Sequence, residues 1–568
     1  MTAVTTIKTH QILAYRRLFI LLLACHISIA VGDTTVTPHP ITETDAARFL
    51  TQATMGYSID DVKRVQVMGY EKWLSSQLSK SPSLTEPYIS YLKSRLEIDH
   101  QIRNKLLPYH KINNKKNNVG YKNTGTAWMR AILSGNDLLR QRVTWALSQI
   151  LVTSTEVNAL AQGISNYYDT LSNNAFYRYD EILLAVTYHP IMGRYLSYLG
   201  NKKPDFKNNI TPDENYAREI MQLFTIGLWE LNIDGTLKHD ANGNNIPTYD
   251  NKDITELSRV FTGFHLQGED FGKNNWGKYI LPMQISKQHH DYTAKSVLDT
   301  RIRIEKGLNA QTEIALTIDA LSRHPNTAPF ISRQLINHLV TSNPSKAYIH
   351  RVSTVWEKSR GSLDAVIKAI LLDKEARAPS KNILKTYGRL KDPVQRITNI
   401  LKPLQCGKSL GYKPTDYPGL QWWHPDPYEH LHQAPMRSPS VFNFYEPGYS
   451  RPGTISKNQL YSPEFQIMTD STAATVANYI FNGLQSGFHT TSRTNNAEPL
   501  LCNFDSLLSL SDKELKRTLN LLFAANHIDD STMATIMKDA KSQSKNRLKQ
   551  VSYAIFATVL SYDSAIQR

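Results

Sequence analysis

Between residues 211 and 227 the chain reads Thr211-Pro-Asp-Glu-Asn-Tyr-Ala-Arg-Glu-Ile-Met-Gln-Leu-Phe-Thr-Ile-Gly227, and this stretch indicates the fold best. Thr211 is a good N-cap residue, Pro212 suits the first helical position, and Glu214 stands where a capping-box carboxylate reaches back to the N-cap amide. The pattern therefore predicts a helix that begins directly after Thr211.

One face of this predicted helix is apolar and must meet a core, because at 100° per residue it carries Tyr216, Ile220, Leu223 and Gly227. Arg218 and Glu214 fall on the opposite side as one i,i+4 ion pair. Glu219 falls at the edge of the apolar face, where an unpaired carboxylate costs several kcal/mol. We therefore expect Glu219 to be half of a structural ion pair, a metal ligand or a general base, with Asn215 hydrogen-bonding on the same side.

Helical start and stop signals recur on both sides of this stretch. Ser58 with Asp61 forms a capping-box pattern, and Gly69 follows as a stop signal. Apolar residues at helical spacing predict further helices over residues 327–340 and 362–372, and after Asn136, where they are Leu139, Val143, Ala146, Leu147 and Ile150. We find neither an internal repeat nor alternating strands and helices, so we predict a mainly α fold in which residues 31–568 form a single helical domain.

Two segments interrupt the helical pattern. Residues 232–253 contain Asp234-Gly235 and Asn242-Gly243, which are strong turn signals and predict a small β-hairpin. Residues 405–463 are rich in proline and aromatic residues, and we predict a long irregular segment that folds over the helical body. Irregular segments of this length in compact proteins tend to be functional or disordered.

The first 30 residues have the pattern of a secretory signal peptide. Three basic residues precede the apolar run from Leu18 to Cys25, and small residues follow at positions 28 and 30. The run is shorter than the roughly 20 residues that span a bilayer, so we expect cleavage near Val31 and export to the periplasm or the extracellular space. An alternative is open, because Leu22-Leu-Ala-Cys25 is similar to a bacterial lipobox, in which Cys25 would carry a lipid anchor.

Composition is that of a soluble globular protein, with 41% hydrophobic and 20% charged residues and a formal net charge of +15. This balance favours an anionic partner, such as an envelope polysaccharide or another polyanion. The basic residues are spread along the chain, and one cluster, at 103–122, has the composition of a solvated loop, so we expect no specific nucleic-acid binding. Past the signal peptide, Cys406 and Cys502 are the remaining cysteines; they form either a disulfide or two separate thiols.

The 211–227 stretch and several other segments resemble, in the same order, an exported bacterial family, number 1800 among the domains of unknown function (DUF1800). These segments are residues 46–56, 139–143, 189–193, 261–263, 290–291, 324–325 and 437–445. The resemblance implies export, a mostly helical body and no established chemistry. It also implies a neighbour-encoded partner, because members are often encoded beside a sulfatase-like family. Many members have histidine at the position of Phe224, and its absence here weakens any mechanism that needs an imidazole on this helix.

Adjacent His290 and Asp291 are the next candidates for chemistry. A neighbouring histidine and carboxylate can bind a divalent metal, or act as a base and the group that orients it. In the alternative interpretation, Asp291 makes a turn and caps a helix that begins near Thr293. A second histidine group, His424, His430 and His432, allows a zinc site.

The segment Arg437-Ser-Pro-Ser-Val-Phe-Asn-Phe-Tyr445 combines one cation with a dense aromatic run. Arginine binds carboxylate, sulfate or phosphate in a bidentate manner, so Arg437 and Asn443 are candidates for substrate binding. The alternative is structural: the aromatic rings anchor the irregular segment to the core, and Arg437 pairs with an acid such as Glu219.

Two functions therefore remain open, and the sequence does not decide whether the protein is an enzyme. One is a binding or assembly factor for an envelope or extracellular polymer. The other is a metal-assisted, hydrolase-like enzyme that acts on an anionic or carbohydrate substrate. In that enzyme Glu219, His290 and Asp291 would be catalytic or metal-binding, and substrate would be bound by Asn215, Arg218, Arg437 and Asn443. We expect the 211–227 helix and the loops that carry His290 and Arg437 to form one polar site.

Overall fold

Helices make up most of the part of the chain that the computed structural model describes, which comprises residues 40–90, 93, 121–155, 160–380, 383, 386–407, 430–488 and 499–568. Within it, residues Ile41–Arg568 form one compact unit. The predicted signal peptide, with Cys25, and most of the basic cluster at 103–122 lie outside the described residues.

The N-terminal half of the described chain contributes ten helices: α1 (Glu43–Ala53), α2 (Ile59–Met68), α3 (Tyr70–Leu78), α4 (Tyr121–Ser134), α5 (Leu138–Ile150), α6 (Ala161–Asn174), α7 (Tyr179–Thr187), α8 (Pro190–Tyr195), α9 (Asn215–Gln222) and α10 (Asn251–Val260). The C-terminal half contributes α11 (Ala310–Ser322), α12 (Thr327–Leu339), α13 (Lys346–Ser359), α14 (Leu363–Leu372), α15 (Lys374–Arg377), α16 (Pro393–Leu401), α17 (Thr454–Lys457), α18 (Asp470–Ser486), α19 (Asp505–Leu508), α20 (Asp512–Ala524), α21 (Asp530–Gln543), α22 (Arg547–Leu560) and α23 (Tyr562–Ala565).

Three antiparallel two-stranded sheets accompany the helices. Their strands are β1 (Phe264–His265) with β2 (Gln284–Ile285), β3 (Lys295–Val297) with β4 (Ile302–Ile304), and β5 (Arg389–Leu390) with β6 (Ile566–Gln567). In register, Phe264 faces Ile285, Ser296 faces Arg303, and Leu390 faces Ile566. The prediction of a mainly α fold with small hairpins is confirmed.

Helix α5 lies in the core, and all of its residues are buried. It packs against α3, α6 and α12, and its predicted apolar face is in the core. Its polar residues are buried as well, because they bond to main-chain carbonyls of neighbouring elements. Arg140 Nη1 donates to Ser172 O at 2.7 Å, and Arg142 Nη2 donates to His338 O at 2.5 Å. A helix can be buried on every side when its polar groups are bonded in this way.

Helices with strong local signals begin and end where they were predicted. The Ser58–Asp61 capping box is present, and Gly69 ends α2 with a positive φ of 78°, a conformation that glycine adopts without strain. Helices α12 and α14 match the predicted segments 327–340 and 362–372 to within one residue.

The predicted start of the 211–227 helix is wrong. Helix α9 begins at Asn215, and its N-cap residue, Glu214, makes no side-chain cap. The reason is a pair of hydrogen bonds from outside the segment: Asn201 Oδ1 accepts the N–H of Asp213 at 2.9 Å, and Asn201 Nδ2 donates to Asp213 O at 3.2 Å. These bonds hold residue 213 outside the helix, so Thr211 does not cap it.

The helix suggested near Thr293 is also absent. Asp291 Oδ1 accepts the N–H of Thr293 at 2.8 Å, which is the predicted turn, but the chain then enters strand β3. Lys295 Nζ is buried there and donates to the carbonyl oxygen of Asp291. In strand β3 the side chain of Lys295 points into the protein interior, where its Nζ makes this contact.

The small β structure predicted near residues 232–253 is present as isolated antiparallel bridges between residues 228 and 250. They join Trp229 to Pro247, Leu231 to Leu237 and His239 to Asn245. Both turn glycines have positive φ, 77° at Gly235 and 84° at Gly243, as these turns require. Asp240 Oδ1 accepts the N–H groups of Asn242 and Asn244.

Within the described part of the irregular segment, most of residues 431–445 lie against the core and most of residues 446–460 are exposed. Phe444 and Tyr445 are buried, while Phe442 is 46% exposed. Residues 408–429, including His424, lie outside the described residues. Cys406 and Cys502 form a disulfide that joins the start of this segment to residues 499–503.

Candidate basic cavity

An open cavity of about 240 Å³ lies beside the end of helix α8. We call it the basic cavity; its polar lining consists of Arg194, Ser197, His265, Lys273, Asn274 and Tyr279. These residues come from α8 and the turn after it, from strand β1, and from the loop between β1 and β2.

Local sequence explains how α8 presents Arg194. His189 is the N-cap residue, with Nδ1 accepting the N–H of Ile191, and Pro190 occupies the first helical position. A β-carbon at Gly193 would lie 2.8 Å from the side chain of Met283. Glycine at 193 therefore lets the chain before β2 pack closely against α8, which places Arg194 at the cavity.

Positive charge accumulates on this side of the molecule. Lys202 and Lys203 are exposed next to His289, and the N–H of Lys203 donates to His289 O at 2.8 Å. Burial lowers the pKa of His289, and the charges of Lys202, Lys203 and His265 lower it further. Their mutual repulsion indicates a local excess of positive charge, which an anion would relieve.

The neighbouring acids are engaged by local amides. Asp205 Oδ2 accepts from Asn208 Nδ2 at 2.7 Å, and Glu269 Oε1 accepts from Asn275 Nδ2 at 2.7 Å. The bond from Asn208 holds the pKa of Asp205 below its usual value. The charge of Lys203 also lowers the pKa of Asp205, so this carboxylate offsets part of the local positive charge.

Exposed aromatic rings flank the cations. Trp276 is 54% exposed, and the Arg194 guanidinium lies 4.9 Å from the centre of its ring, in a cation–π contact. Phe206 is 85% exposed, and Phe271 stacks on His289 with ring centres 3.8 Å apart. Flat apolar rings beside cations suit a ligand with both an anionic group and an apolar face.

Asn215 is the one sequence-predicted substrate-binding residue that contacts a residue of this cavity. It is exposed, and its Nδ2 lies 3.4 Å from Ser197 Oγ. Arg218 faces elsewhere and forms the predicted i,i+4 pair with Glu214 at 3.6 Å. Glu214 also accepts a hydrogen bond from the Thr255 hydroxyl at 2.8 Å.

Glu219 is half-buried, and its Oε2 accepts no hydrogen bond from any residue that the structure describes. Burial raises the pKa of Glu219, and the charge of Arg218 opposes that increase. The pKa of Tyr195 is raised to about 12, mainly by burial. A hydrogen bond with Ser438 opposes this increase, and the charge of Glu219 adds to it. Tyr195 therefore lies between helix α9 and the segment that carries Arg437.

His290 and Asp291 do not face an open cleft. His290 is fully buried, with Nδ1 2.9 Å from Thr262 O and Nε2 3.3 Å from Glu313 Oε2. Asp291 is bound by Arg259 Nε at 2.8 Å. Burial acts to raise the pKa of Asp291, but hydrogen bonds from Arg259 and Thr293 hold it below its usual value. Each side chain thus has its own protein partner.

The Arg437 segment is joined to the core through its main chain. Arg437 forms an isolated β-bridge with Ser154. Asn443 has a φ of 65°, and its Nδ2 donates to Gln149 Oε1 at 3.2 Å. The Tyr445 hydroxyl donates to the same oxygen at 2.9 Å. Asn443 is therefore bound to helix α5, and the buried rings of Phe444 and Tyr445 anchor the segment, while Phe442 is 46% exposed.

No group of three or more histidine, cysteine, aspartate or glutamate side chains within the described ranges is arranged to hold a metal ion. His430 stacks on Tyr479 with ring centres 5.3 Å apart. The metal role proposed for Glu219, His290 and Asp291 thus gains no geometric support, since the partners of His290 and Asp291 are protein groups.

A larger open cavity, of about 510 Å³, lies between residues 247–253 and the turn after β3. Its charged lining is mostly acidic and consists of Glu230, Asp250, Asp253, Asp299, Arg301 and His324. Asp250 caps helix α10, and Asp253 Oδ1 accepts the N–H of Leu298 at 2.6 Å. These two carboxylates therefore have structural roles in the cavity wall.

Sequence reasoning missed Arg194, Lys273 and Trp276. A usable signal was present, because Arg194 directly follows the 189–193 segment and the Gly/Asn-rich loop at 268–277 contains both Lys273 and Trp276. Tertiary packing brings these two segments together, and the spacing of the residues in the sequence does not reveal this.

In the described part of the chain, no helix has both the length and the apolarity needed to cross a membrane. No curated protein and no solved structure matches the chain. One family does match, over residues 48–563, and its description is protein of unknown function. The match spans nearly all of the chain: the protein belongs to the DUF1800 family.

Proposed function

We propose that this protein is a binding or assembly factor for an anionic polymer of the cell envelope or the extracellular space, and that it binds this polymer at the basic cavity. The observation that carries the proposal is a cavity lined by Arg194, His265 and Lys273 beside the exposed Trp276 ring, with Lys202 and Lys203 near His289. Arginine and lysine bind carboxylate and sulfate groups, and the nearby carboxylates of Asp205 and Glu269 accept hydrogen bonds from Asn208 and Asn275.

The chemistry of the cavity favours an acidic polysaccharide. Sugar rings have an apolar face that can lie on Trp276 or Phe206, and their carboxylate or sulfate groups can reach the cations. The net charge of +15, of which Lys8, Arg16 and Arg17 of the predicted signal peptide contribute +3, supports the same class of partner, because a positive protein attracts a polyanion over distances up to the Debye length.

Binding to dextran sulfate, with uncharged dextran as the comparison, tests this proposal. We expect the protein to bind dextran sulfate and not uncharged dextran. The double variant Arg194→Gln with Lys273→Gln should weaken binding to dextran sulfate at least about tenfold, since one charged hydrogen bond contributes about 1.5–3 kcal/mol. The matched control is Lys516→Gln with Arg517→Gln, which removes the same charge from helix α20, where these residues pair with Asp530 and Glu43.

Equal loss of affinity in the two double variants would show that net charge alone drives binding, and would remove the basic cavity from the proposal. Binding of uncharged dextran with the same affinity would contradict the anionic class of ligand. The affinity of the wild type should also fall as salt is added.

The alternative, a metal-assisted hydrolase-like enzyme, has less support because His290 is buried and both His290 and Asp291 have protein partners. Metal analysis of the purified protein tests it directly. A stoichiometric divalent metal that is lost on substitution Glu219→Gln would favour the enzyme over the binding factor.

Export is part of the proposal and rests on the N-terminal sequence. We propose that the chain is exported, and mass spectrometry of protein recovered from its host should find an N-terminus near Val31 or a lipidated Cys25. Recovery of soluble cytoplasmic protein that retains residues 1–31 would contradict export.

A further inference from the structure

A buried lysine with no hydrogen-bonded partner for its ammonium group lies next to helix α16. Lys391 is only 5% exposed. Its main-chain N–H donates to Ala565 O at 2.9 Å, but Nζ donates to no residue that the structure describes. A desolvated ammonium group without a partner is costly, and the side chain lines a small cavity.

A second cation lines the same cavity. Arg396 makes one side-chain hydrogen bond, from Nη2 to Val559 O at 3.2 Å. Burial lowers the pKa of Lys391 to about 7, and the charge of Arg396 adds to this effect. The two positive groups therefore repel each other across a shared space.

The nearest acid in sequence does not compensate them. Asp392 Oδ1 accepts the N–H of Gln395 at 2.8 Å, and its Oδ2 accepts from Trp145 Nε1 at 3.3 Å. The same carboxylate lies 3.7 Å from Arg389 Nη2. Asp392 is thus committed to the opposite side of this segment, and no carboxylate lines the cavity.

An amide completes the lining. Asn399 Oδ1 is buried and accepts no hydrogen bond from the described residues. The cavity volume, about 10 Å³ to the centre of a water-sized sphere, admits roughly one such sphere.

We propose that the cavity between Lys391 and Arg396 binds a single-atom monovalent anion, with chloride as its natural occupant. The anion would supply the negative charge that both cations lack. The small space for the centre of a water-sized sphere favours a single-atom anion over phosphate or sulfate. This site is separate from the basic cavity and does not depend on the proposed function.

The test is thermal unfolding of the purified protein at constant ionic strength, with sodium gluconate replaced stepwise by sodium chloride. Ligand that binds only the folded state raises stability by RT ln(1 + [L]/Kd). We therefore expect Tm to rise with chloride in the wild type and to be independent of chloride in Lys391→Met.

The matched control is Lys402→Met, which also removes an inward-pointing lysine. Lys402 Nζ donates to the carbonyl oxygens of Ile132, Leu133 and Gly135 at 2.8, 3.0 and 2.9 Å. This variant should lose stability and still respond to chloride. A chloride response lost in both variants would overturn the proposal, because the loss would not be specific to Lys391.

A second measurement uses the wild type and avoids any failure of a variant to fold. Crystals grown in sodium bromide should give an anomalous bromide peak between Lys391 and Arg396. A water molecule there without anomalous signal, or a Tm that does not change with chloride, would overturn the proposal. A protective effect of sulfate equal to that of chloride would also contradict it, because the small space favours a single-atom anion.

Discussion

Replacing Lys295 by methionine should destabilise the protein by about 3–5 kcal/mol, the usual result of removing one partner of a buried ion pair. Lys295 is 2% exposed, and its Nζ lies 2.8 Å from Glu313 Oε1. The same group donates to the carbonyl oxygens of Asp291 at 2.5 Å and Thr293 at 3.1 Å. Methionine retains most of the apolar stem, so the loss comes from the stranded carboxylate and the two carbonyls.

Urea unfolding followed by tryptophan fluorescence measures this loss, and an unchanged slope with denaturant would show that the compactness of the end states is the same. Arg303→Met is the matched control on the neighbouring strand, because Arg303 and Glu305 form an ion pair whose side chains are 75% and 76% exposed. Exposed pairs contribute little to stability, so this variant should resemble the wild type.

A double variant, Lys295→Met with Glu313→Leu, sharpens the test. Buried ion pairs can be replaced by apolar residues at little cost, so the double variant should be more stable than the sum of the two single losses predicts. A loss below about 1 kcal/mol in Lys295→Met would refute the reasoning, since it would mean that Glu313 is solvated or compensated elsewhere.

Three further variants follow from the structure. Gly227→Ala should destabilise the protein more than Gly243→Ala. Both positions have positive φ, a conformation that costs about 1–2 kcal/mol without glycine, but a β-carbon at 227 would lie 2.8 Å from the Phe330 ring, whereas one at 243 would have no atom within 4 Å. Equal losses of stability in urea unfolding would contradict the effect of the Phe330 contact. Burial lowers the pKa of His338 to about 3, so the unfolded chain takes up a proton below about pH 6.5 that the folded chain does not. Stability should therefore fall from about pH 6.5 towards pH 3, by up to about 1.4 kcal/mol per pH unit for this group, and His338→Phe should reduce that slope; an identical slope would refute the assignment. Cys502→Ser opens a loop between cysteines 96 residues apart, which should destabilise the protein by up to about 4–5 kcal/mol, and a reductant should destabilise the wild type but not the variant.

Features that depend on residues close together in the sequence could be predicted, and features that depend on residues far apart in the sequence could not. The capping box at Ser58 and the stop at Gly69 involve residues a few positions apart, so α2 was predicted correctly. Thr211 has equally good local signals, but Asn201 bonds to residue 213 and delays the helix. Strand β3 was missed because the side chain of Lys295 is fixed by Glu313, 18 positions later.

The same distinction applies to the candidate site. Asn215 was chosen for its place on the helix, and it does contact Ser197 of the basic cavity. The basic residues of this cavity are Arg194, His265 and Lys273, and their proximity depends on packing that no local pattern encodes. His290 and Asp291 show the converse, since a pair of reactive residue types in sequence became two separately bonded side chains in the fold.

The contacts of Gln567 and Arg568 with distant parts of the chain affect how the protein folds. Arg48 on α1 donates to the carbonyl oxygen of Arg568, 520 positions later, and Gln567 Nε2 bonds to the carbonyl oxygens of Leu339 and Val340. Contacts between such distant residues slow folding, because the closure entropy must be overcome before they form. During synthesis α1 therefore emerges long before its partners, and the nascent chain needs protection from aggregation until residues 566–568 arrive.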